Sequence, residues 1–293
     1  MKRLFFSLFV FLIGAHALLA QPEPVAYRLY TGAGKPVKFS QLVKAAAASD
    51  ATFFGELHNN AVGHWLQQEL ARAIYARKGT LALGMEMFET DQQGDLESYL
   101  SGFIAPDSLG EVTRLWPNYE TDYQPLVEFM RAKALPVYAT NAPQSLARMV
   151  FRKGPEALDT LNTSDRRWLT PLPLTVPYEN PSYQAMLGMT HGSAGNGPDP
   201  RRMVAAQALK DATMAHRIHI LRQAGQPFLH LNGSYHSDKY EGILWYLRRL
   251  QNNLKLLTLT TVEAEDPTRF PAAARGVADF VLVVHSRMTH TYE

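Results

Sequence analysis

The stretch Ala51-Thr-Phe-Phe-Gly-Glu-Leu-His58 decides the fold. Its first four residues form a short apolar run with two adjacent phenylalanines, and the run stops at a glycine followed by a carboxylate and an imidazole. Immediately downstream, Val62, Leu66, Leu70 and Ala73 recur at helical spacing across residues 61–77, so the segment reads as strand, turn and helix. A second stretch has the same pattern. Residues 227–231 run into Asn232-Gly-Ser-Tyr-His236, and Tyr240, Ile243, Leu247 and Leu250 fall on one stripe of the helix predicted after it.

Between these two turns, residues 81–85 read as a buried strand entering Glu86. Residues 136–140 read as another, entering Asn141-Ala-Pro143, where the proline can open a helix. Residues 254–261 and 278–284 add two β-rich runs. About six strands alternating with helices predict an α/β fold with a mostly parallel sheet flanked by helices. Two stretches exceed simple crossovers. Residues 91–131 read as several helices. Residues 144–200 are rich in Pro, Tyr and Gly and read as irregular structure and short helix, from Pro171 to Tyr178, through Tyr183, Met186 and Met189, to His191-Gly-Ser-Ala-Gly-Asn-Gly197. Insertions of this length are commonly lids or binding loops.

In an open α/β sheet, ligands sit beyond the carboxyl ends of the strands. That rule gathers Glu56, His58, Glu86, Asn141 and His236 into one expected pocket. The helix expected over residues 201–222 carries the stripe Met203, Gln207, Asp211, Met214, Ile218 and Leu221. Polar groups on a core-facing stripe need partners, because each one left unpaired costs roughly 1 to 3 kcal/mol. Gln207 and Asp211 are therefore expected beside the pocket. Each feature also has a plainer reading. Either glycine alone can serve a tight turn, Glu86 an ion pair and Asn141 a cap; His64 leaves the apolar stripe of its helix and is exposed unless the ligand lies over that turn.

The chain has 293 residues, 46% of them hydrophobic and 19% charged, which suits one large core rather than a disordered chain. Residues 1–20 read as a secretory signal: Lys2 and Arg3 precede an apolar run over residues 4–13 that is too short to span a membrane. Cleavage is expected after Ala20, with Ala15-His-Ala17 as a competing site. The α/β domain then occupies about residues 25–293 of a periplasmic or secreted protein. There is no cysteine, so a metal would have to be held by His, carboxylate, Tyr or Met. Removing Lys2 and Arg3 from 29 basic residues leaves 27 against 27 acidic ones. A neutral mature chain gives no electrostatic basis for binding nucleic acid.

In order along the chain, Gly55-Glu-Leu-His-Asn-Asn60 with His64 and Gln67, Gly84-Met-Glu86, Asn141-Ala-Pro143, Ala206-Gln-Ala-Leu-Lys-Asp-Ala-Thr-Met-Ala215 and Asn232-Gly-Ser-Tyr-His236 resemble the ChaN haem-binding family. That family lies in the superfamily that includes Tiki and TraB proteins and erythromycin esterases. The resemblance implies a large α/β domain with a smaller helical subdomain, an exported protein of haem or iron uptake, and a homodimer that sandwiches haem held by a tyrosine. Tyr178 and Tyr183 are the candidates by region, with His58, His64 or a nearby lysine on the propionates. It also implies outer-membrane or periplasmic transport components as partners. The lipoprotein members' anchoring cysteine is absent here.

The same resemblance leaves an enzymatic alternative. Glu56 or Glu86 would act as general base on water, while His58 and His236 with Glu86 bind a divalent metal (Zn, Mn or Co) or polarise a carbonyl.

Overall fold

Adjacent side chains of a strand point to opposite faces, and Phe53 and Phe54 do so literally: Phe54 belongs to one hydrophobic core and Phe53 to another. Their strand, β2 (Ala51–Glu56), is buried at every residue, as a central parallel strand covered on both faces must be. The computed structural model describes residues 23–189 and 199–292. The expected signal segment over residues 1–20 and the glycine-rich run at residues 191–197 lie outside the described residues, as does the side chain of Met189.

Seven strands form one sheet. In chain order they are β1 (Tyr27–Thr31), β2, β3 (Ala82–Glu89), β4 (Val137–Asn141), β5 (Phe228–Gly233), β6 (Leu256–Ala264) and β7 (Phe280–His285). Their order across the sheet is β1-β7-β6-β2-β5-β3-β4. Every pairing is parallel except β1 with β7. The expected mostly parallel α/β sheet is present, with one strand more than the six read from sequence.

On the Phe54 side, α1 (Phe39–Ala46) and α2 (Ala61–Lys78) pack with the helices that come after β3: α3 (Gln93–Leu100), α4 (Leu109–Val112) and α5 (Gln124–Ala132). A π-helical turn, Tyr119–Tyr123, leads into α5. Asn60 starts α2 by accepting the Gly63 N–H at 2.9 Å, and Gly79 ends it in the left-handed region at φ 72°. After β4 come α6 (Gln144–Lys153), α7 (Thr163–Arg166), α8 (Pro181–Met189) and α9 (Pro200–Leu221), and after β5 comes α10 (Ile243–Leu250). Residues of α8, α9 and α10 pack over Phe53 and Phe228. A smaller apolar cluster joins α6 to α9 through Val150, Ala205 and Leu209. Among the described residues no helix is long and apolar enough to cross a membrane.

Two local expectations need correction. The helix after the second histidine turn begins at Ile243, so Tyr240 lies outside it. Lys239, Tyr240 and Gly242 have φ of 59°, 61° and 53°, and helical residues cannot take these values. Glu86 does not end its strand either: β3 continues to Glu89, with a shift of register against β4 between Met85 and Glu89.

Candidate functional site

β2 and β5 are neighbours, paired with Gly55 opposite Asn232 and Glu56 opposite Gly233. The two glycine turns therefore leave the sheet side by side. A Cβ on Gly55 would lie 3.0 Å from the Ser234 Cα, and one on Gly233 would lie 2.8 Å from the His58 ring. Neither glycine has a positive φ. Each is small because the other turn occupies the space its side chain would need.

The first turn holds an imidazole–carboxylate pair. The buried Glu56 carboxylate accepts from His58 Nδ1 at 2.9 Å, from the Gln67 amide at 2.5 Å and from the Tyr123 hydroxyl at 2.6 Å. The His58 side chain is 36% exposed, and its Nε2 has no partner among the described residues. Burial would lower the affinity of His58 for a proton, but its hydrogen bond to Glu56 and the Glu56 charge raise it overall. Beneath this turn His64 is buried rather than exposed. Its Nε2 lies 3.0 Å from the His58 carbonyl and 3.3 Å from Asp122, and Asn118 donates to the same carbonyl at 2.9 Å. Residues 290–292 lie against the turn as well: His290 bridges Asn60, the Thr291 hydroxyl donates to Asp122, and the Asn59 amide donates to the Tyr292 carbonyl.

The second turn is a closed clamp. His236 is buried, with Nε2 3.1 Å from Glu86 and Nδ1 2.5 Å from Asp211. Burial works against its protonation, yet the two carboxylates prevail and push it up to about 10. Glu86 also accepts the Gly233 N–H at 2.7 Å. Burial alone would raise its pKa, but His236, His58 and Lys210 together hold it well below the carboxylate range. Burial pushes Asp211 upward and outweighs the attraction of His236. The Tyr183 hydroxyl donates to Asp211 at 2.7 Å, and the Gln207 amide lies 3.1 Å from His236 Nδ1. Under the clamp, His230 bridges Thr140 and Asn232 and is pushed by burial down to about 4, so it is neutral at physiological pH.

The two imidazoles thus meet at one end of the sheet, on either side of Gly233, with Glu86 between them. Asn141, at the end of β4, lines an adjacent cleft rather than touching either imidazole. The proposed iron ligands fare differently. Tyr183 is 2% exposed and its hydroxyl is committed to Asp211. Tyr178 is half-buried with the Arg201 guanidinium 3.8 Å over its ring. A further phenol, Tyr235, is 67% exposed in the turn that ends at His236. The sequence signal for it was its place inside Asn232-Gly-Ser-Tyr-His236.

Of the expected metal-ligand set His58, His236 and Glu86, the structure places His236 Nε2 3.1 Å from Glu86, with Nδ1 2.5 Å from Asp211. Among the described residues no group of three or more His, Asp or Glu is arranged to hold an ion.

Two imidazole–carboxylate assemblies stand side by side at the carboxyl ends of neighbouring parallel strands, the end of the sheet where α/β folds gather their ligands. The chain belongs to the family described as haem-binding uptake, Tiki superfamily, ChaN, whose model matches residues 42–247. Its fold is similar to that of ChaN of Campylobacter jejuni, a structure described by its cofacial haem binding. The TM-score is 0.68 at 16% identity, covering 89% of this chain and 98% of that one. An erythromycin esterase mutant in its open conformation gives a TM-score of 0.46 at 11% identity, over 89% of this chain and 83% of the esterase. A Bacillus cereus protein gives 0.49 at 10% identity, over 84% and 90%. No curated protein matches the chain.

Proposed function

We propose that the protein binds haem at the rim of the strand-end site and hands it on during haem or iron uptake outside the cytoplasm. The observation that carries this reading is Tyr235, an exposed phenol without a hydrogen-bond partner among the described residues. It stands two residues from Gly233, against which the ring of His58 packs. A phenolate is a suitable axial ligand for ferric haem, and the free Nε2 of His58 is placed to hydrogen-bond a ligand on that rim. Family membership supports the same ligand. Export through residues 1–20, a homodimer sandwiching haem, and delivery to periplasmic or outer-membrane transport components belong to this proposal.

The test is a titration with haemin followed by absorption. The wild type should give a saturable Soret shift that is altered in Tyr235→Phe and retained in Tyr178→Phe and Tyr183→Phe. An unaltered spectrum in Tyr235→Phe would remove the phenolate at that position.

A hydrolytic reading is favoured by one feature, the Glu56–His58 pair. Nδ1 held by a buried carboxylate leaves Nε2 as a base with raised proton affinity facing solvent, the arrangement of a general base. Hydrolysis of an ester or amide by the purified protein, abolished in His58→Ala, would support it; inactivity of the wild type across a broad ester and amide panel would discard it.

A further inference from the structure

Beside the histidine pair, beyond the ends of β3 and β4, lies a cleft of about 310 Å³. That volume falls at the lower end of the range of about 300 to 1,000 Å³ that small-molecule sites occupy. Trp116 lines the cleft and joins it to the site, its ring 4.9 Å from the His58 ring. The charges around it balance. Arg114 is held by Glu89 at 2.7 Å and by Asp91 at 2.8 Å, and Lys210 adds the second cation. Two cations stand against two carboxylates, so the cleft favours neither an anion nor a cation.

Its hydrogen-bonding groups, in contrast, are unused. Asn141 is 6% exposed and lines the cleft, and its buried side-chain oxygen has no partner. An amide oxygen only accepts, so whatever completes it must donate. Gln144 and Lys210 also line the cleft without a hydrogen-bond or ion-pair partner among the described residues. The Gln144 amide both donates and accepts, and the Lys210 ammonium donates. Met87, Leu115 and the indole of Trp116 add apolar wall. A carboxylate brings only acceptors and an ammonium only donors, and neither meets a set that holds both. Hydroxyl groups on an apolar ring meet all of it.

We propose that this cleft binds a neutral sugar ring. One hydroxyl donates to the Asn141 oxygen, others are shared with Gln144 and Lys210, and the C–H face of the ring packs against Trp116. This ligand is separate from the haem of the proposed function, and the assignment stands or falls without it.

The test is saturation-transfer NMR on the whole protein, titrated with N-acetylglucosamine and with the methyl glycosides of glucose, galactose and mannose. Ribitol, an open-chain polyol, and sodium propionate are run beside them. Wild type is compared with Asn141→Leu and Gln144→Leu, and thermal unfolding reports whether each variant is folded. Gln144 is exposed, so its variant decides the outcome where Asn141→Leu fails to fold. At least one pyranose should bind the wild type, and each folded variant should bind it about tenfold more weakly, the scale of one hydrogen bond. No response to any pyranose, or a response that both folded variants retain in full, overturns the assignment. Ribitol bound as tightly as the best pyranose overturns the ring, and propionate bound in place of the sugars overturns the neutral ligand.

Discussion

The turns Gly55–His58 and Gly233–His236 carry the same spacing on neighbouring strands, yet their imidazoles end in opposite states. His58 is half-exposed, with one nitrogen on Glu56 and the other free. His236 is buried with both nitrogens on carboxylates. The path of the chain beyond each turn makes the difference. After His58 the chain enters α2 within three residues, which leaves the ring at the mouth. After His236 it passes through left-handed residues before α10, and the ring lies beneath α9, where Asp211 and Gln207 meet it. The motif fixes the backbone; the neighbouring helix decides whether the imidazole serves a ligand or braces the floor.

The hardest blow to this contrast is Asp211→Ala. Removing one carboxylate from a buried charged assembly should cost about 3 to 5 kcal/mol in urea unfolding. A loss typical of a surface substitution would mean that the clamp does not form.

Gly233→Ala attacks the contact between the turns. The new Cβ would sit 2.8 Å from the His58 ring, forcing the ring outward at a cost of about 1 to 3 kcal/mol and weakening haemin binding. Unchanged stability and binding would show that the turns are not interlocked.

The protonation of His236 gives a smaller, pH-dependent effect. Its proton affinity in the folded state is raised from 6.5 to about 10. The folded protein therefore keeps a proton that the unfolded chain has lost. The stabilisation is complete below pH 6.5 and is lost as pH climbs toward about 10. His58 is shifted in the same sense and adds to that decline. Glu86, shifted downward, contributes above its ordinary 4.5 and weakens on acidification. Melting temperatures over the alkaline range should fall in the wild type and fall less steeply in His236→Gln. Equal slopes would assign the titration elsewhere.

His58→Ala should matter least to stability, by less than about 1 kcal/mol, because Glu56 keeps Gln67 and Tyr123 as donors. The same substitution separates the exposed imidazole's contribution to ligand or substrate from any role in folding.

Locality decides how much of the fold and site is legible in the residues alone. The end of β2 was legible because an apolar run stops at a glycine, and the Pro227 strand for the same reason. β1 was not: in five residues at an antiparallel edge the two buried ones, Leu29 and Tyr30, are adjacent, so no alternation marks the strand. The start of α10 was misplaced because the left-handed residues Lys239 and Tyr240 interrupt a stripe that looks continuous on paper. Tyr123, Asn118 and Asp122 were hidden in a stretch read only as helices, since the π-helical turn at Tyr119–Tyr123 breaks the 3.6-residue period. Nor could spacing explain the glycines. Both were read as turn formers, whereas their small size answers crowding from a segment far away in the chain, which becomes visible only once β2 and β5 pair.

The contact of residues 290–292 with the His58 turn has a practical consequence. Asn59, Asn60 and Asp122 are shared between the tail and the ground beneath that imidazole. Whatever enters the mouth and stiffens the turn also tightens the tail, so a fluorophore or an exchangeable amide near position 290 becomes a gauge of occupancy that never touches the guest.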